Sequence, residues 1–351
     1  MTSTSMSPNS VGVIGAGSFG VTVANLLAHN ADVLLYARKQ ATVQAIRQTR
    51  TAAGYALAPT VTPINDLAAV AERCKVLFPV VPSEAFRGMM RELAPWLTPR
   101  HILIHGTKGL DVCWPKATTP GAWVPLTRAA VKTMSEVIQE ESVVHQVGCL
   151  AGPNLAQELA QKQPAATVVA SPLAAVIAQG QQLLRSAHFQ VYSSTDLLGV
   201  ELCGVFKNIM AIGAGCLSGL GYGENAKALL ISRGMVEMIC LGQAMGASVH
   251  PFLGLAGIGD LVATCTSRLS RNYTVGYRLA QGTPPSQLTQ RTEETAEGIN
   301  TVKIVYGLIQ HYQMRAPITE AMYRVLFEGL AVPAAIQYLM KYPVDVDVDF
   351  L

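Results

Sequence analysis

The chain has 351 residues, of which 50% are hydrophobic and 14% are charged, and its formal net charge is +3. This length is sufficient for two domains that each have their own hydrophobic core. The small positive charge, without any run of lysine or arginine, excludes a nucleic-acid-binding protein as the expected class. The seven cysteines are scattered and never occur as C-x-x-C, so we expect reduced thiols in a cytoplasmic protein and no metal site.

The first half of the chain alternates between short β-branched runs and helical patterns. Residues 1–10 are polar and predict a disordered N-terminus, and the alternation then extends over residues 11–196. Such alternation is typical of an α/β domain with a doubly wound, mostly parallel sheet. The predicted strands are Val11–Ile14, Val33–Tyr36, Val76–Val80, Ile102–His105, Val147–Leu150, Ala166–Ala170 and Gln190–Ser193; the predicted helices include Phe19–His29, Ser83–Leu93, Thr133–Glu141 and Asn154–Gln161.

The pattern changes after about residue 196, where strand-like runs nearly vanish. Helical periodicity continues to about Met340, so residues 197–351 are predicted to form an all-α domain. The apolar run Leu202–Gly223 is rich in glycine and carries Lys207 near its centre, which argues against membrane insertion. Val344–Asp349 alternates valine with aspartate and predicts an edge strand.

A glycine motif, Gly15-Ala-Gly17-Ser-Phe-Gly20, lies directly between the first predicted strand and the first predicted helix. Gly15 suits the tight turn, Gly17 allows the backbone to approach a pyrophosphate, and Gly20 allows the helix to pack against the sheet. The N-terminus of that helix then faces the phosphates. Strand, motif and helix together predict a Rossmann-like dinucleotide-binding domain.

The end of the second predicted strand bears on the choice of cofactor. Proteins that select NAD usually carry Asp or Glu there for the ribose, whereas this chain has Tyr36-Ala37-Arg38. Arg38 can pair with a 2′-phosphate, so we expect NADP(H), or both cofactors with NADPH slightly favoured. The alternative is an ordinary solvated arginine at the start of a helix.

One lysine, Lys207, stands alone among apolar residues. It is the only charged residue between Leu202 and Gly223, and Asn208 follows it. Burial of an ammonium group lowers its pKa, which makes a lysine usable as an acid or base near neutral pH. The alternative is a structural lysine whose amine extends to the surface from a buried helix. A nicotinamide enzyme that acts on a carbonyl needs such a proton donor.

Two further stretches carry polar groups suited to a substrate. Lys108 follows a predicted strand end, where α/β sheets place their ligands. Later in the chain, Asp260 precedes the string Ser270-Arg271-Asn272, in which the guanidinium can bind a phosphate dianion through two parallel hydrogen bonds. Ser-Arg-Asn is equally typical of a helix cap and its neighbours.

Taken together, these strings resemble the bacterial-type NAD(P)-dependent glycerol-3-phosphate dehydrogenases. They run in the family's order over nearly the whole chain. The matching stretches are Gly15–Gly20, Thr107-Lys108-Gly109, Gly152-Pro-Asn-Leu-Ala156, Gly204-Val-Phe-Lys207-Asn208, Gly223-Glu-Asn-Ala-Lys227, Ser232-Arg-Gly234, Gly257–Asp260, Ser270-Arg271-Asn272 and Glu297-Gly298.

The resemblance implies the reversible reduction of dihydroxyacetone phosphate to sn-glycerol 3-phosphate, a precursor of phospholipids, by a cytoplasmic homodimer. By position it implies Lys207, Lys108 and Asp260 as the catalytic group. The implied substrate residues are Lys108, Gly152, Asn154, Lys207, Asp260, Ser270, Arg271 and Asn272. The implied cofactor residues are Gly15, Gly17, Ser18, Phe19, Gly20, Arg38, Lys108, Ala156, Arg271, Thr295 and Glu297.

The chain departs from the family pattern at two places that matter for the site. Asn154 replaces the usual Ser or Thr, which puts that substrate contact in doubt. Residues 111–130, with two tryptophans and three prolines, look like an insertion after the Lys108 loop. It is either a lid that excludes water or a packed surface excursion.

Two rival functions remain open from the sequence. One is a related two-domain dehydrogenase that acts on a β-hydroxy acid or a keto acid. The other is a catalytically silent protein that senses NAD(P), although such a protein has no need for an isolated buried lysine.

Overall fold

The computed structural model describes residues 10–114, 126–288, 297–343 and 346–347. The contacts within the chain group its residues into two compact units. The first unit contains Met1–Thr107 and Met134–Leu197, and the second contains Lys108–Thr133 and Leu198–Leu351. The predicted domain ranges, 11–196 and 197–351, differ from these units chiefly in Lys108–Thr133, which falls within the first predicted domain.

The first unit contains an eight-stranded sheet. Numbered along the whole chain, the strands are β1 Val11–Ile14, β2 Val33–Tyr36, β3 Thr51–Ala52, β4 Tyr55–Ala56, β5 Val61–Ile64, β6 Val76–Pro79, β7 Ile102–His105, β8 Asp111–Val112, β9 Val131–Lys132, β10 Gln146–Ala151, β11 Ala165–Ala170 and β12 Phe189–Ser194. The order in the large sheet is β12-β11-β10-β7-β6-β1-β2-β5.

The large sheet is mostly parallel, as the strand–helix alternation predicts. Every neighbouring pair is parallel except β10 and β11, which are antiparallel. The chain moves outward from β1 in both directions, toward β2 on one side and β6 on the other. Ligands of open α/β sheets bind at the carboxyl ends of the strands beside such a reversal of strand order.

Both faces of this sheet are covered by hydrophobic side chains, which alternate along each strand. In β1, Val11 and Val13 pack into one core while Ile14 packs into the other. Phe78 and Leu77 on β6 divide in the same way. Helices therefore lie on both faces, and the predicted doubly wound architecture is confirmed.

The helices are α1 Ser18–Leu27, α2 Gln40–Thr49, α3 Leu67–Arg73, α4 Ser83–Leu93, α5 Met134–Glu141, α6 Ala156–Ala160, α7 Ala174–Leu184, α8 Leu197–Gly219, α9 Glu224–Ala244, α10 His250–Leu253, α11 Asp260–Thr266, α12 Arg271–Ala280, α13 Pro285–Leu288, α14 Glu297–Tyr312, α15 Pro317–Phe327 and α16 Val332–Met340. A π-helical turn, Leu255–Gly259, precedes α11.

Among its described residues, the second unit is helical apart from the short pair β8 and β9, which are antiparallel. Its central element is α8, which is buried from Gly199 to Leu217. Among the described residues, α8 is the one helix that is long and apolar enough to cross a membrane, but 89% of its apolar window is buried inside the protein. That burial is typical of the core helix of a soluble protein.

Two edge strands differ between sequence and structure. The sequence does not predict β5, because Pro63 interrupts the run; β5 lies at the sheet edge, where a residue without an N–H is tolerated. The edge strand predicted over Val344–Asp349 lies mostly outside the described residues. Its two described members, Val346 and Asp347, are not in a strand.

Candidate active site

The glycine motif forms a close turn between β1 and α1. Gly15 has φ +123°, and a Cβ atom there would lie 2.3 Å from the Val80 carbonyl oxygen at the end of β6. A Cβ on Gly20 would lie 1.9 Å from the Gly15 carbonyl oxygen. Neither position accepts a larger residue without movement of the backbone.

Gly17 has open space where a Cβ would be, and it is the N-cap of α1. No side chain caps this helix, and its first turn carries no acidic residue. The N–H groups of the first turn therefore remain suited to an anion, and the helix dipole favours negative charge at this end.

Arg38 and Phe19 both lie at the carboxyl ends of the parallel strands, close to the ends of β2 and β7. The Asn65 side chain donates to the carbonyl oxygens of Ala37 (2.7 Å) and Arg38 (2.6 Å), which holds the turn after β2. The Arg38 side chain itself is exposed. A Cβ on Gly106, just after β7, would lie 3.0 Å from the Phe19 ring. In the first unit, the predicted cofactor residues therefore lie together at the carboxyl ends of the strands: Gly15, Gly17, Ser18, Phe19, Gly20 and Arg38.

Asn154 links the ends of β10 and β11. Its Nδ2 donates to Thr167 Oγ1 (3.0 Å), and that hydroxyl donates to the Ala151 carbonyl oxygen (3.0 Å). Gly152, which has φ +151°, lies directly beneath this bridge, and Ala156 begins α6. Asn154 Oδ1 is buried and has no hydrogen-bond partner among the described residues. The amide thus has a structural role through its nitrogen.

In the second unit, two lysines share one carboxylate. Lys207 Nζ donates to Asp260 Oδ1 (2.6 Å), and Lys108 Nζ donates to Asp260 Oδ2 (2.7 Å). Lys207 Nζ also donates to Thr264 Oγ1 (2.7 Å), and that hydroxyl donates to Asp260 Oδ1 (3.1 Å). All three predicted catalytic residues therefore lie in one cluster, which also contains Thr264.

The helices that carry this cluster explain its geometry. The π-helical turn leads into α11, so Asp260 and Thr264 lie one turn apart on the same face. On α8, Gly204 lies one turn before Lys207, and a Cβ there would be 3.3 Å from Lys108 Cγ. The aliphatic part of Lys108 therefore crosses α8 at a position that only a small residue leaves open.

The charge state of the cluster follows from its burial. Burial lowers the pKa of Lys207 to about 8; the charge of Asp260 opposes this effect and the charge of Lys108 adds to it. Burial alone would raise the pKa of Asp260, but the two lysines reverse that effect and lower it. The cluster at neutral pH is thus a carboxylate between two ammonium groups, with a net positive charge.

A helix N-terminus lies beside this part of α8. Ser270 is the N-cap of α12, and its hydroxyl accepts a hydrogen bond from the Tyr273 N–H (3.3 Å). Helices α8 and α12 run alongside each other in the same direction, because Gly215 packs on the Tyr273 carbonyl and Gly219 packs on Tyr277. The turn of α8 that carries Lys207 therefore lies toward the N-terminal end of α12.

Asn272 connects this helix end to α14. Its Oδ1 accepts a hydrogen bond from the Gly298 N–H (3.1 Å), and a Cβ on Gly298 would lie 2.4 Å from the same oxygen. Arg271 is exposed, and Glu297 is half-buried at the start of α14. Thus Ser270, Arg271, Asn272 and Glu297 are grouped around two helix N-termini, and Ser270 is indeed a helix cap.

Three residues complete the comparison of the predicted site with the structure. Thr264 is absent from the sequence prediction, although the spacing Asp260-x-x-x-Thr264 in a helical segment is a signal available in the sequence. Thr295 lies outside the described residues. Asn208 is buried next to Lys207 in the sequence, but the described hydrogen bonds of the Lys207 amine go to Asp260 and Thr264.

Comparison with known proteins identifies the family. The model for the N-terminal part of NAD-dependent glycerol-3-phosphate dehydrogenase matches residues 10–176, and the model for its C-terminal part matches residues 196–337. The chain belongs to the NAD-dependent glycerol-3-phosphate dehydrogenase family. The resemblance based on the sequence motifs is therefore confirmed.

Relatives and solved structures agree with this family. The glycerol-3-phosphate dehydrogenase [NAD(P)+] of Pseudomonas entomophila is 39% identical over 346 residues, which cover 97% of this chain and 96% of the relative. That of Geobacter sulfurreducens is 39% identical over 338 residues, covering 94% and 96%. The crystal structure of glycerol-3-phosphate dehydrogenase from Coxiella burnetii superposes with a TM-score of 0.84 at 32% identity, covering 95% of this chain and 99% of that one.

Proposed function

We propose that this protein catalyses the reversible reduction of dihydroxyacetone phosphate to sn-glycerol 3-phosphate with NADPH or NADH. The observation that carries the proposal is the cluster in which Lys207 and Lys108 share the buried carboxylate of Asp260. A buried ammonium group with a pKa of about 8, in a chain of this family, is suited to donate a proton to a ketone oxygen.

The first unit fits a dinucleotide. Open space at Gly17, the uncapped N-terminus of α1 and the exposed Arg38 supply a place for a pyrophosphate and a partner for a 2′-phosphate. We assign this site to the glycine motif with Ser18, Phe19, Arg38 and Ala156, and we add Arg271, Thr295, Glu297 and Lys108 from the family resemblance. A bound nicotinamide supplies the hydride.

Lys207 then handles the proton. An ammonium group has three N–H donors, and two of those of Lys207 form hydrogen bonds with Asp260 and Thr264. We assign the third donor to the substrate carbonyl oxygen. As that oxygen gains negative charge, Lys207 stabilises it and transfers a proton to it, while Asp260 stays ionised. In the oxidation direction, the neutral amine accepts the proton of the alcohol.

The substrate phosphate is assigned to the N-terminal end of α12. Arg271 offers a planar pair of N–H donors there, and the helix dipole favours a dianion. Asn272 uses its oxygen for the Gly298 N–H, so its amide nitrogen remains as the donor toward a ligand. Lys108, Gly152, Asn154 and Ser270 complete the proposed substrate set, and Ser270 acts through its helix cap.

We propose a cytoplasmic homodimer that supplies phospholipid synthesis, without bound nucleic acid and without insertion into a membrane. We also propose the two domains 11–196 and 197–351 as the nucleotide-binding and catalytic parts.

The deciding experiment follows the absorbance of NADPH with and without dihydroxyacetone phosphate, and repeats the assay with NADH. We expect oxidation only when the phosphorylated ketone is present. Comparable rates with unphosphorylated dihydroxyacetone or with a keto acid would favour the rival dehydrogenase. Tight NADPH binding without turnover of any small carbonyl compound would favour a sensing protein.

A further inference from the structure

The segment between β8 and β9 follows closely on Lys108, and both of its described ends are attached to α14. After β8, the ring of Trp114 lies under the ammonium group of Lys303, with Nζ 4.8 Å from the ring centroid. Before β9, Leu126 is fully buried, and a Cβ on Gly307 would lie 3.0 Å from its Cγ and Cδ1. Lys303 and Gly307 are one helical turn apart, so they present one face of α14.

The two strands transmit this attachment to Lys108. Asp111 pairs with Lys132 and Val112 pairs with Val131, and the Cys113 N–H donates to the Ala130 carbonyl oxygen (2.9 Å). Lys108 lies only three residues before Asp111. The position of its backbone is therefore tied to a ribbon whose two arms both rest on α14.

We propose that Trp114, Leu126, Lys303 and Gly307 form a clasp that positions Lys108 on Asp260. These four residues are positioning residues, because they act through Lys108. The proposal concerns the described ends of the segment, which provide its attachment to α14. It rests on the proposed catalytic role of Lys207, which shares Asp260 with Lys108.

The same helix also holds the other side of the proposed site. The Gly298 N–H at the start of α14 donates to Asn272, five residues before Lys303. Helix α14 thus connects the arm that carries Lys108, residues 108–114 (the Lys108 arm), with the N-terminal end of α12. Loss of the clasp would free the Lys108 arm while the bond to Asn272 remains.

The charge of Lys108 provides a readout other than activity, namely the pKa of the Lys207 amine. Groups that act on the Lys207 amine are Asp260 and Cys265 from α11 and Lys108 from the arm, with Thr264 as hydrogen-bond partner. Among these, Lys108 lowers the pKa of Lys207. If the arm moves away from Asp260, the pKa of Lys207 must rise.

The principal test uses Gly307→Val, which forces side-chain atoms into the space of Leu126. Valine has a higher helix propensity than glycine, so the helix itself is not weakened. The matched control is Gly88→Val in α4, where the glycine is exposed and nothing lies within 4 Å of the added Cβ. Protein labelled with ¹³C at lysine Cε is titrated by NMR without substrate, and the Lys207 signal is assigned with Lys207→Arg.

We expect Gly307→Val and Lys108→Met each to raise the titration midpoint of Lys207, and the double variant to add no further shift. Gly88→Val leaves the midpoint unchanged. In the reduction assay, Gly307→Val should lower kcat/KM by about tenfold, since a small misplacement of a catalytic group is costly. A midpoint that moves in Lys108→Met but not in Gly307→Val would overturn the clasp, and so would a midpoint that moves in neither variant.

A second pair of variants keeps the test independent of the Gly307 substitution. Trp114→Ala should raise the same midpoint, and Trp114→Phe should restore it, because a phenyl ring still offers its face to Lys303. Trp96→Ala is the control, since Trp96 (48% exposed) and Trp114 (44% exposed) are similarly accessible. The titration needs no turnover, so failure of the proposed reaction and failure of the clasp are distinguished. Equal midpoints for Trp114→Ala and Trp96→Ala would contradict the proposal.

Discussion

Lys207 is the residue on which the proposed chemistry depends, and its hydrogen bonds limit what its amine can do. Asp260 and Thr264 accept two of its three donors, so the amine is fixed in direction and keeps one donor for a ligand. Its burial is compensated by the carboxylate, which explains how a charged group is accommodated in the apolar helix α8.

Replacement of Lys207 by alanine should separate catalysis from cofactor binding. We expect Lys207→Ala to lower kcat by at least about a hundredfold, because general acid catalysis contributes two to four orders of magnitude. The affinity for NADPH, measured by fluorescence titration, should change little. Lys341→Ala, at an exposed position, serves as the control. Near-wild-type turnover of the Lys207 variant would refute the assignment.

The pKa of Lys207, about 8, also predicts opposite pH dependences in the two directions. Reduction requires the protonated amine, so kcat for reduction should fall as the pH rises through about 8. Oxidation requires the neutral amine, so kcat for oxidation should rise through the same range. Both profiles are measured at saturating substrate. A reduction rate that stays constant up to the ordinary lysine value of 10.5 would contradict this prediction.

Arg38 should influence the choice between cofactors. Its guanidinium is exposed just after β2, where a 2′-phosphate is expected and a carboxylate would repel it. We expect Arg38→Asp to shift the ratio of kcat/KM for NADPH and NADH toward NADH. Lys39→Asp makes the same change of charge at the next residue and controls for the general field. An unchanged ratio in Arg38→Asp would remove Arg38 from the cofactor site.

At the scale of the elements, a buried carboxylate joins α9 to α15. Glu237 accepts hydrogen bonds from the N–H groups of Ile318 (2.6 Å) and Thr319 (3.1 Å) and from the Thr319 hydroxyl (3.0 Å). It therefore caps the N-terminus of α15 from another helix. Burial raises the pKa of Glu237 to about 7, against the opposing effect of these hydrogen bonds and of Arg233.

Because the pKa of Glu237 is raised, we expect the stability of the folded protein to depend on pH. Between its ordinary pKa of 4.5 and about 7, the folded protein keeps a proton that the unfolded chain has lost, so the free energy of unfolding falls as the pH rises. Above pH 7 the contribution is constant. Compared with Glu237→Gln, the wild type should lose roughly 3 kcal/mol across that window. Urea unfolding of both proteins measures the difference, and a difference independent of pH would be inconsistent with the prediction.

The elements differ in how far the sequence predicts them. Helix α4 and strands β1, β2 and β7 have the predicted bounds, because each has strong periodicity and clear ends. Strand β5 is not predicted, since Pro63 is acceptable only at a sheet edge and the position of an edge depends on the neighbouring strands.

At the scale of the whole molecule, the composition predicts that copies of the chain associate with one another. Half of the chain is apolar and few residues are charged, which suggests burial beyond the core of one chain. Several large apolar side chains are exposed, including Tyr192, Leu253 and Met340. We expect sedimentation equilibrium to give the mass of two chains over a range of micromolar concentrations. The mass of one chain throughout that range would contradict the proposed homodimer.

The arrangement of the site could be predicted only in part. The glycine motif and the isolated Lys207 were recognisable because each is a local pattern in the sequence. The partners of Lys207 are harder to predict because they are distant in the sequence. Asp260 lies 53 residues from Lys207, and Lys108, which binds the same carboxylate, lies 152 residues from Asp260. The sequence motifs indicated both residues, but only the family resemblance assigned them to one site.

The sequence by itself determined the alternation of strands and helices, the dinucleotide motif and the family, because these depend on residues that are close along the chain. The tertiary structure alone decided that Thr264 joins the lysine cluster, that Asn272 binds the start of α14, and that the Lys108 arm packs on Lys303 and Gly307. Such contacts depend on how whole helices pack, and packing is a property of surfaces assembled from distant parts of the chain.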